Sequence, residues 1–197
     1  MSASPNETEH GWPAILTWRG HDVPRMESAR VQLSGNRIKA YGRIVSGATD
    51  AHPAFSASYD LVTDDAGATR RLSLSLTLAE RDRQLSIARD EENMWSVSGH
   101  QGVSARAAFS GALDVDVVFS PFFNALPLRR TGIYKRHDCV SVPVVYVMLP
   151  ELSVNPATIT YTSGSDGIKL HSPVADTTVS VDDSGFILDY PGLAERF

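Results

Sequence analysis

The chain has 197 residues, a length that suits one domain with a core formed without disulfides or metal. It carries 18 Lys and Arg against 23 Asp and Glu, a net charge of −5. With no basic run, this balance argues against nucleic acid as a partner and against docking on an anionic membrane. The single cysteine, Cys139, excludes an internal disulfide.

The N-terminal segment predicts a loose polar tail over residues 1–10, ahead of a single domain over residues 11–197. This segment has no basic start and no apolar run, so it lacks the features of a secretory signal. The longest nearly apolar stretch, residues 140–150, is too short to cross a bilayer as a helix. We therefore expect a cytoplasmic protein without stable membrane insertion.

Alternation of apolar and polar residues dominates the rest of the chain. In "RRLSLSLTL" (70–78), leucines alternate with Ser and Thr, which predicts a half-buried strand. Turn sequences such as "SGN", "DDAG" and "DDSG" separate segments of the same type. The other predicted strands are 14–18, 26–35, 36–47, 55–65, 84–88, 94–98, 112–120, 126–134, 142–149, 157–163, 167–172, 176–182 and 185–190.

This pattern predicts an all-β fold. A sheet of about a dozen strands has to curl or close to hide its edges. We expect a strongly curved antiparallel sheet that forms an open or incomplete β-barrel, which at this size can enclose a small ligand. Helix would be limited to one or two short pieces, such as residues 101–110 or the residues after Pro191.

The segment "DVDVVFSPFFNALPLRR" (114–130) stands out from this alternation. In a strand, Asp114 and Asp116 share one face about 7 Å apart, where two like charges need a cation or water. Pro121 and Pro127 bracket the following connection, so no regular helix is expected through it.

The arginine pair at the end of this segment supplies the cations. Arg129 and Arg130 would point to opposite faces of a strand, so only one of them can meet the aspartates. One interpretation is a polar wall in an apolar cavity, where Asp116 and an arginine bind hydroxyls or a phosphate. The other interpretation, which the residue pattern alone favours, is a structural Asp–Arg network that fixes a sheet corner.

The sequence contains little that indicates an enzyme or a cofactor-binding protein. The Asp114–Asp116 spacing overlaps the ~6.5–9.5 Å of inverting glycosidases, but catalytic carboxylates flank the scissile bond from opposite sides. The six histidines are scattered without metal-ligand spacing, and no phosphate loop or dinucleotide fingerprint is present. We therefore expect no metal and no cofactor.

The segment "LDVDVVFSPFFNALPLRR" (113–130) resembles the signature of a bacterial family known as "Putative glycolipid-binding". That signature is an Asp-x-Asp strand, a Pro-x-x-Asn turn, Leu-Pro and an arginine pair, all present here. Further matches follow in order, at Trp18, Tyr59, "TRRL", Trp95, "PELSVNPATITY" and "VDDSGFILDYPGL". The resemblance covers nearly the whole chain, with departures at Ala112 and Ile159, where the family has cysteine and glutamine.

The resemblance implies an incompletely closed barrel, similar to lipoprotein-carrier domains that hold acyl chains in a concave sheet. It also implies a non-catalytic binding protein for an amphipathic ligand such as a lipid or glycolipid. The apolar inner face would take the acyl chain, and a core filled by side chains would contradict this arrangement. The residues expected at the polar head are Asp114, Asp116, Asn124, Arg129, Arg130 and Tyr161.

Two alternatives from other classes stay open. A hydrolase acting on a sugar or lipid ester would need a carboxylate with a raised pKa that faces a cleft, opposed by a second acid or base. A structural or interaction protein with a filled core could instead form a homodimer through exposed strands.

Overall fold

The computed structural model describes residues 12–99 and 104–197, so the predicted tail at residues 1–10 lies outside them. Over the described residues the chain forms one sheet of 15 strands. The first half supplies β1 (Ala14–Gly20), β2 (Arg25–Ser34), β3 (Arg37–Ser46), β4 (Phe55–Thr63), β5 (Thr69–Leu78), β6 (Asp82–Arg89), β7 (Trp95–Gly99) and β8 (Ser104–Ala107).

The second half adds seven strands and the helical segments. The strands are β9 (Asp114–Val117), β10 (Cys139–Met148), β11 (Ser153–Gly164), β12 (Gly167–His171), β13 (Asp176–Val181), β14 (Ile187–Tyr190) and β15 (Ala194–Arg196). One α-helix, α1 (Pro121–Thr131), follows β9, and 3₁₀ turns cover Phe109–Gly111 and Ile133–Lys135.

The sheet consists of two meanders joined where β1 pairs with β15. Its strand order is β8-β7-β6-β5-β4-β3-β2-β1-β15-β14-β13-β12-β11-β10-β9, so the sheet is open and ends at β8 and β9. Neighbouring strands are antiparallel except β9, which runs parallel to β10. The Thr69 N–H at the start of β5 donates to the Leu113 carbonyl just before β9 (2.9 Å), which brings the two halves together. The all-β, open-barrel prediction is confirmed.

The inner face of the sheet is filled. Phe122, Phe123, Leu126 and Leu128 of α1 are fully buried and pack among the inward side chains of the strands. Phe122 stacks on Tyr59 of β4 with ring centroids 5.7 Å apart. The surface that was expected to hold an acyl chain is therefore occupied by the helix.

The helix corrects two expectations for residues 121–134. The strand predicted at 126–134 is wrong, because most of it lies in α1, and so is the expectation that no regular helix crosses Pro121 and Pro127. Pro121 is the first helical residue. An N–H at that position would have no partner within the helix, so proline costs no hydrogen bond there. Pro127 does remove an interior hydrogen bond, but burial of the residues around it overrides this cost.

The other helix expectations were also inaccurate. Within residues 101–110, positions 101–103 lie outside the described chain, Ser104–Ala107 is a strand, and only Phe109 and Ser110 enter a 3₁₀ turn. The residues after Pro191 form β15, which closes the junction with β1. Within the described ranges, no helix is both long enough and apolar enough to traverse a lipid bilayer.

Candidate functional site

The Asp114–Arg130 pair joins β9 to the last turn of α1. Asp114 is fully buried, and Arg130 reaches it with Nε 3.0 Å and Nη2 2.6 Å from Oδ2. Burial raises the pKa of the Asp114 carboxyl, and the Arg130 guanidinium opposes that shift. This geometry is the corner clamp that the structural interpretation of the segment predicts.

Arg129 lies on a different side of the helix. Its Nη1 donates to the Ser184 carbonyl, and its guanidinium stands 5.3 Å from the centre of the Phe186 ring. Only one arginine of the pair meets an aspartate, as expected. The reason is the helix, in which successive side chains point about 100° apart, rather than the strand that was predicted.

Glu27 of β2 is a buried carboxyl beside the site that the sequence analysis did not identify. It is 2% exposed, and its Oε1 accepts from Tyr59 Oη (2.7 Å) and Ser120 Oγ (2.6 Å). Its Oε2 accepts from the Phe122 N–H (3.3 Å), so a carboxylate from another strand caps the N-terminus of α1. Burial raises the pKa of Glu27 to about 7, although these three hydrogen bonds lower it.

Two features of the sequence explain this arrangement. Glu27 is in phase with the inward-facing Ala29 and Val31, which was the available signal for a buried charge. Gly42 of β3 lets Tyr59 cross over it, because a Cβ at that position would lie 2.2 Å from Tyr59 Cζ. Without this space the Tyr59 hydroxyl could not reach Glu27.

Asp116 differs from Asp114 because no cation of the described residues lies within 4.0 Å of it. It is 7% exposed, and the backbone N–H of Val117 lowers its pKa only in part. Burial raises the pKa of Asp116 to about 7, with the charges of Glu27 and Asp114 adding to the shift. Its carboxyl group therefore changes charge near neutral pH.

Asp116 lies on a cleft of about 360 Å³ between β9, the start of α1 and the loops around β13 and β14. Burial and the charge of Asp116 raise the pKa of Tyr146 and Tyr190, which therefore stay neutral and can donate hydrogen bonds. Val174 and Leu193 supply part of the apolar rim. The polar groups on the wall include Arg25, Asp116, Asn124, Tyr146, Asp176 and Tyr190.

Asn124 is the second predicted residue on the cleft. Its Oδ1 accepts from Tyr161 Oη (3.1 Å), which fixes the amide so that Nδ2 is the donor side, and Nδ2 donates to the Ser120 carbonyl (3.5 Å). Tyr161 itself is fully buried behind Asn124. Of the six residues expected at a polar head, Asp116 and Asn124 line this cleft, whereas Asp114, Arg129, Arg130 and Tyr161 do not.

Arg25, at the start of β2, faces the same cleft and was also missed. Its guanidinium lies 3.8 Å from the centre of the Phe119 ring, and Nη2 is 3.1 Å from His52 Nε2. His52 Nδ1 lies 2.9 Å from the Pro53 carbonyl, which can only accept, so Nδ1 carries the proton and Nε2 accepts from Arg25. Burial lowers the pKa of Arg25 to about 10, which leaves it cationic at neutral pH.

The described part of the chain contains no group of three or more His, Cys, Asp and Glu side chains arranged to hold a metal ion. The chemistry available in the cleft is hydrogen bonding by neutral hydroxyls and an amide, together with one guanidinium and two carboxyls, of which that of Asp116 titrates near pH 7. Such a wall suits hydroxylated or anionic groups of a small ligand.

Comparison with known proteins agrees with this fold. The chain superposes on the crystal structure of a DUF1089 family protein from Pseudomonas aeruginosa with a TM-score of 0.70. The two chains are 22% identical over 98% of this chain and 100% of that one, a likeness that shows the fold alone. A search of the curated proteins gave no match.

A family comparison identifies the chain more closely. The sequence model of the family described as "Putative glycolipid-binding" matches residues 15–196. This match confirms the family resemblance of the sequence. The chain therefore belongs to the family described as "Putative glycolipid-binding".

Proposed function

We propose that the protein binds the polar head of an amphipathic ligand, such as a glycolipid, in the cleft beside Asp116, without catalysis. The observation that carries this proposal is Asp116 itself, a buried carboxyl that faces open space with no cation from the described residues beside it. Buried polar groups normally have partners, so a ligand hydroxyl is the natural partner here. Family membership supports a binding role.

The dimensions of the cleft support a head group rather than an acyl chain. A volume of about 360 Å³ is near the lower end of the ~300–1,000 Å³ range of ligand pockets. Because α1 fills the inner face of the sheet, we place the acyl chain outside the core. Val174, which is 57% exposed, and Leu193 provide apolar surface at the rim where such a chain would leave.

Calorimetric titration with octyl β-glucoside tests this proposal. Asp116→Asn keeps the shape of the side chain but removes the charge, and a sugar hydroxyl bonds a carboxylate more strongly than an amide. We expect an affinity about tenfold lower, the change that about 1.4 kcal/mol produces. Asp65→Asn, whose carboxylate is 94% exposed in the β4–β5 turn, is the matched control and should bind as the wild type does.

Equal affinities of the wild type and Asp116→Asn would contradict a head-group site at Asp116. Filling the cleft by Ala175→Phe gives an independent check, since Ala175 lines it without contributing a side-chain hydrogen bond. This variant should lose binding through loss of space alone.

Hydrolysis of a sugar or lipid ester is the second candidate function, and the raised pKa of Asp116 is the observation that favours it. Such an enzyme needs a second acid or base, and Asp176 is the other carboxylate on the cleft wall. Release of 4-nitrophenol from 4-nitrophenyl glycosides and esters tests this candidate. Turnover that disappears in Asp116→Asn would favour it over the binding proposal, whereas binding of octyl β-glucoside without turnover of its 4-nitrophenyl counterpart would count against it.

A further inference from the structure

Arg25 is a buried cation for which the described chain supplies no counter-ion. It is 9% exposed, and no carboxylate of residues 12–99 and 104–197 lies within 4.0 Å of its guanidinium. Arg89 is buried to a similar degree, at 7%, but its Nη2 lies 2.6 Å from Asp64 Oδ2. A charge removed from water without a partner is costly, so an unpaired buried arginine on a cleft marks a place for an anion.

The side chain of Arg25 is also held in position. Phe119 covers one face of the guanidinium at 3.8 Å, and His52 accepts from Nη2. The contacts with Phe119 and His52 restrict the rotamers of this long side chain before any ligand arrives, which lowers the entropy lost on binding. Nε has no hydrogen-bond partner among the residues that the structure describes.

We propose that the head group bound in this cleft carries an anionic oxygen group, either a phosphate or a carboxylate, and that Arg25 recognises it. This inference rests on the proposed function and names the class of ligand for the same site. The planar guanidinium bonds both kinds of group through paired N–H donors. The Phe119 ring covers one face of the guanidinium, so an anion would bind in the guanidinium plane, along the N–H bonds.

The two acids on the cleft wall are compatible with an anion. Asp176 lies 3.8 Å from Nζ of Lys169, a cation of the same hairpin, and 3.5 Å from His171 Nδ1. Asp116 has a pKa raised to about 7, and in its protonated form it can donate a hydrogen bond to an anionic oxygen.

Anion binding and protonation of Asp116 should therefore favour each other. The groups whose charges act on Asp116 are Glu27 from β2 and Asp114 from its own strand, while Tyr146, Tyr161 and Tyr190 face it from β10, β11 and β14. Arg25 is the cation on the same cleft. Affinity for an anionic head group should fall as the pH rises from 6 to 8.

Three amphiphiles with the same octyl chain separate the possible head groups: octyl β-glucoside (neutral), octyl β-glucuronide (carboxylate) and octyl phosphate. The wild type should bind at least one anionic compound about tenfold or more tightly than octyl β-glucoside, a difference of about 1.4 kcal/mol. Tight binding of octyl phosphate alone identifies a phosphate site, and tight binding of octyl β-glucuronide alone identifies a carboxylate site.

Arg25→Met keeps the length of the side chain and should abolish this preference, so that the anionic compounds bind about as weakly as octyl β-glucoside does. Arg37→Met, whose parent side chain is 54% exposed on β3, is the matched control and should keep the preference. If Arg25→Met does not fold, Arg25→Lys retains the charge but loses the planar fork, and a reduced preference is expected.

Three results would overturn the inference. Equal binding of all three compounds by the wild type, or a preference that survives in Arg25→Met, would contradict the role of Arg25 and leave the head-group proposal standing. A wild type that binds none of the three compounds would contradict the head-group proposal as well.

Discussion

At the residue scale, Glu27 and Asp116 are two buried carboxyls that differ in their hydrogen-bond partners. Both carboxyls are buried and both have a pKa raised to about 7. Glu27 is surrounded by donors from Tyr59, Ser120 and Phe122, so its oxygens are already satisfied. Asp116 faces the cleft instead, and this difference makes it the candidate for ligand contact.

The raised pKa of Asp116 has a consequence for stability. In the unfolded chain the carboxyl has its ordinary pKa near 3.9, so between about pH 4 and 7 the folded state holds the proton more tightly. The free energy of unfolding should therefore decrease as the pH rises through this window and level off above it, by roughly 3–4 kcal/mol for this group. Glu27 should add a decrease of the same sign.

Asp116→Asn tests this dependence, because an amide does not titrate. We expect the variant to be more stable than the wild type at pH 8 and nearly equal to it at pH 4.5, by urea denaturation. Asp65→Asn should follow the wild-type curve at both pH values. A constant difference between Asp116→Asn and the wild type at both pH values would show that Asp116 does not titrate in this window.

Gly42 supports a second prediction at the same scale. A Cβ at this position would collide with the Tyr59 ring, so Gly42→Ala should displace Tyr59 from Glu27. Forcing extra atoms into a packed site costs about 1–3 kcal/mol. Gly164→Ala, where a Cβ meets no atom within 4 Å, should change the thermal midpoint little. Similar thermal midpoints for the two variants would mean that Tyr59 moves away from Gly42 without a loss of stability.

At the scale of the element, α1 is held at both ends by carboxylates from the sheet. Glu27 of β2 caps its first turn, and Asp114 of β9 binds Arg130 in its last turn. The helix therefore has a fixed position and rotation inside the barrel. This fixation places Ser120 and Asn124 on the cleft wall, whereas Asp114 and Arg130 themselves do not line the cleft.

Removal of Arg130 should lower the free energy of unfolding, because Arg130 pairs with Asp114. Arg130→Met leaves the fully buried Asp114 without its cation, and breaking a buried pair typically costs about 3–5 kcal/mol. The double variant Asp114→Asn with Arg130→Met should recover most of that loss. These effects should appear as shifts in the midpoint of urea denaturation. A double variant no more stable than Arg130→Met would contradict the pairing.

Helix α1 could not be predicted from the sequence, whereas most strands could. Strands such as β5 were predictable, because only one face is buried and the leucines alternate with hydroxylated residues. Helix α1 is apolar almost all round and contains two prolines, so it shows no helical periodicity. Its formation depends on packing inside the barrel, which no local pattern reveals.

At the scale of the whole molecule, the cleft depends on contacts between distant parts of the chain. Arg25, Asp116 and Tyr190 meet because β15 returns to pair with β1 and β9 runs parallel to β10. Of the residues in the family motif, Asp116 and Asn124 lie on the cleft, and their role in binding stays a prediction. The motif could not reveal Arg25 or Glu27, whose partners come from positions 52 to 122.

The two edge strands of the sheet, β8 and β9, are the strands through which a homodimer could pair. Strand β9 is buried and covered, and β8 is a short edge of four residues on which Arg106 pairs with Asp90 and Glu92. Short charged edges disfavour pairing with a second chain. We expect light scattering after gel filtration to give the monomer mass of 21.4 kDa. Twice that mass would restore the homodimer alternative, and Arg106→Glu would then test whether β8 forms the interface.

Native mass spectrometry of the freshly purified protein, followed by denaturing extraction, shows whether the cleft binds an amphiphile. We expect a co-purifying amphiphile with a hydroxylated, anionic head group, present on the wild type and reduced on Arg25→Met and Ala175→Phe. A wild type that is empty, and that stays empty after incubation with a bacterial lipid extract, would contradict ligand binding in the cleft. The segment from Asp114 to Arg130 would then be a structural clamp without a ligand site beside it.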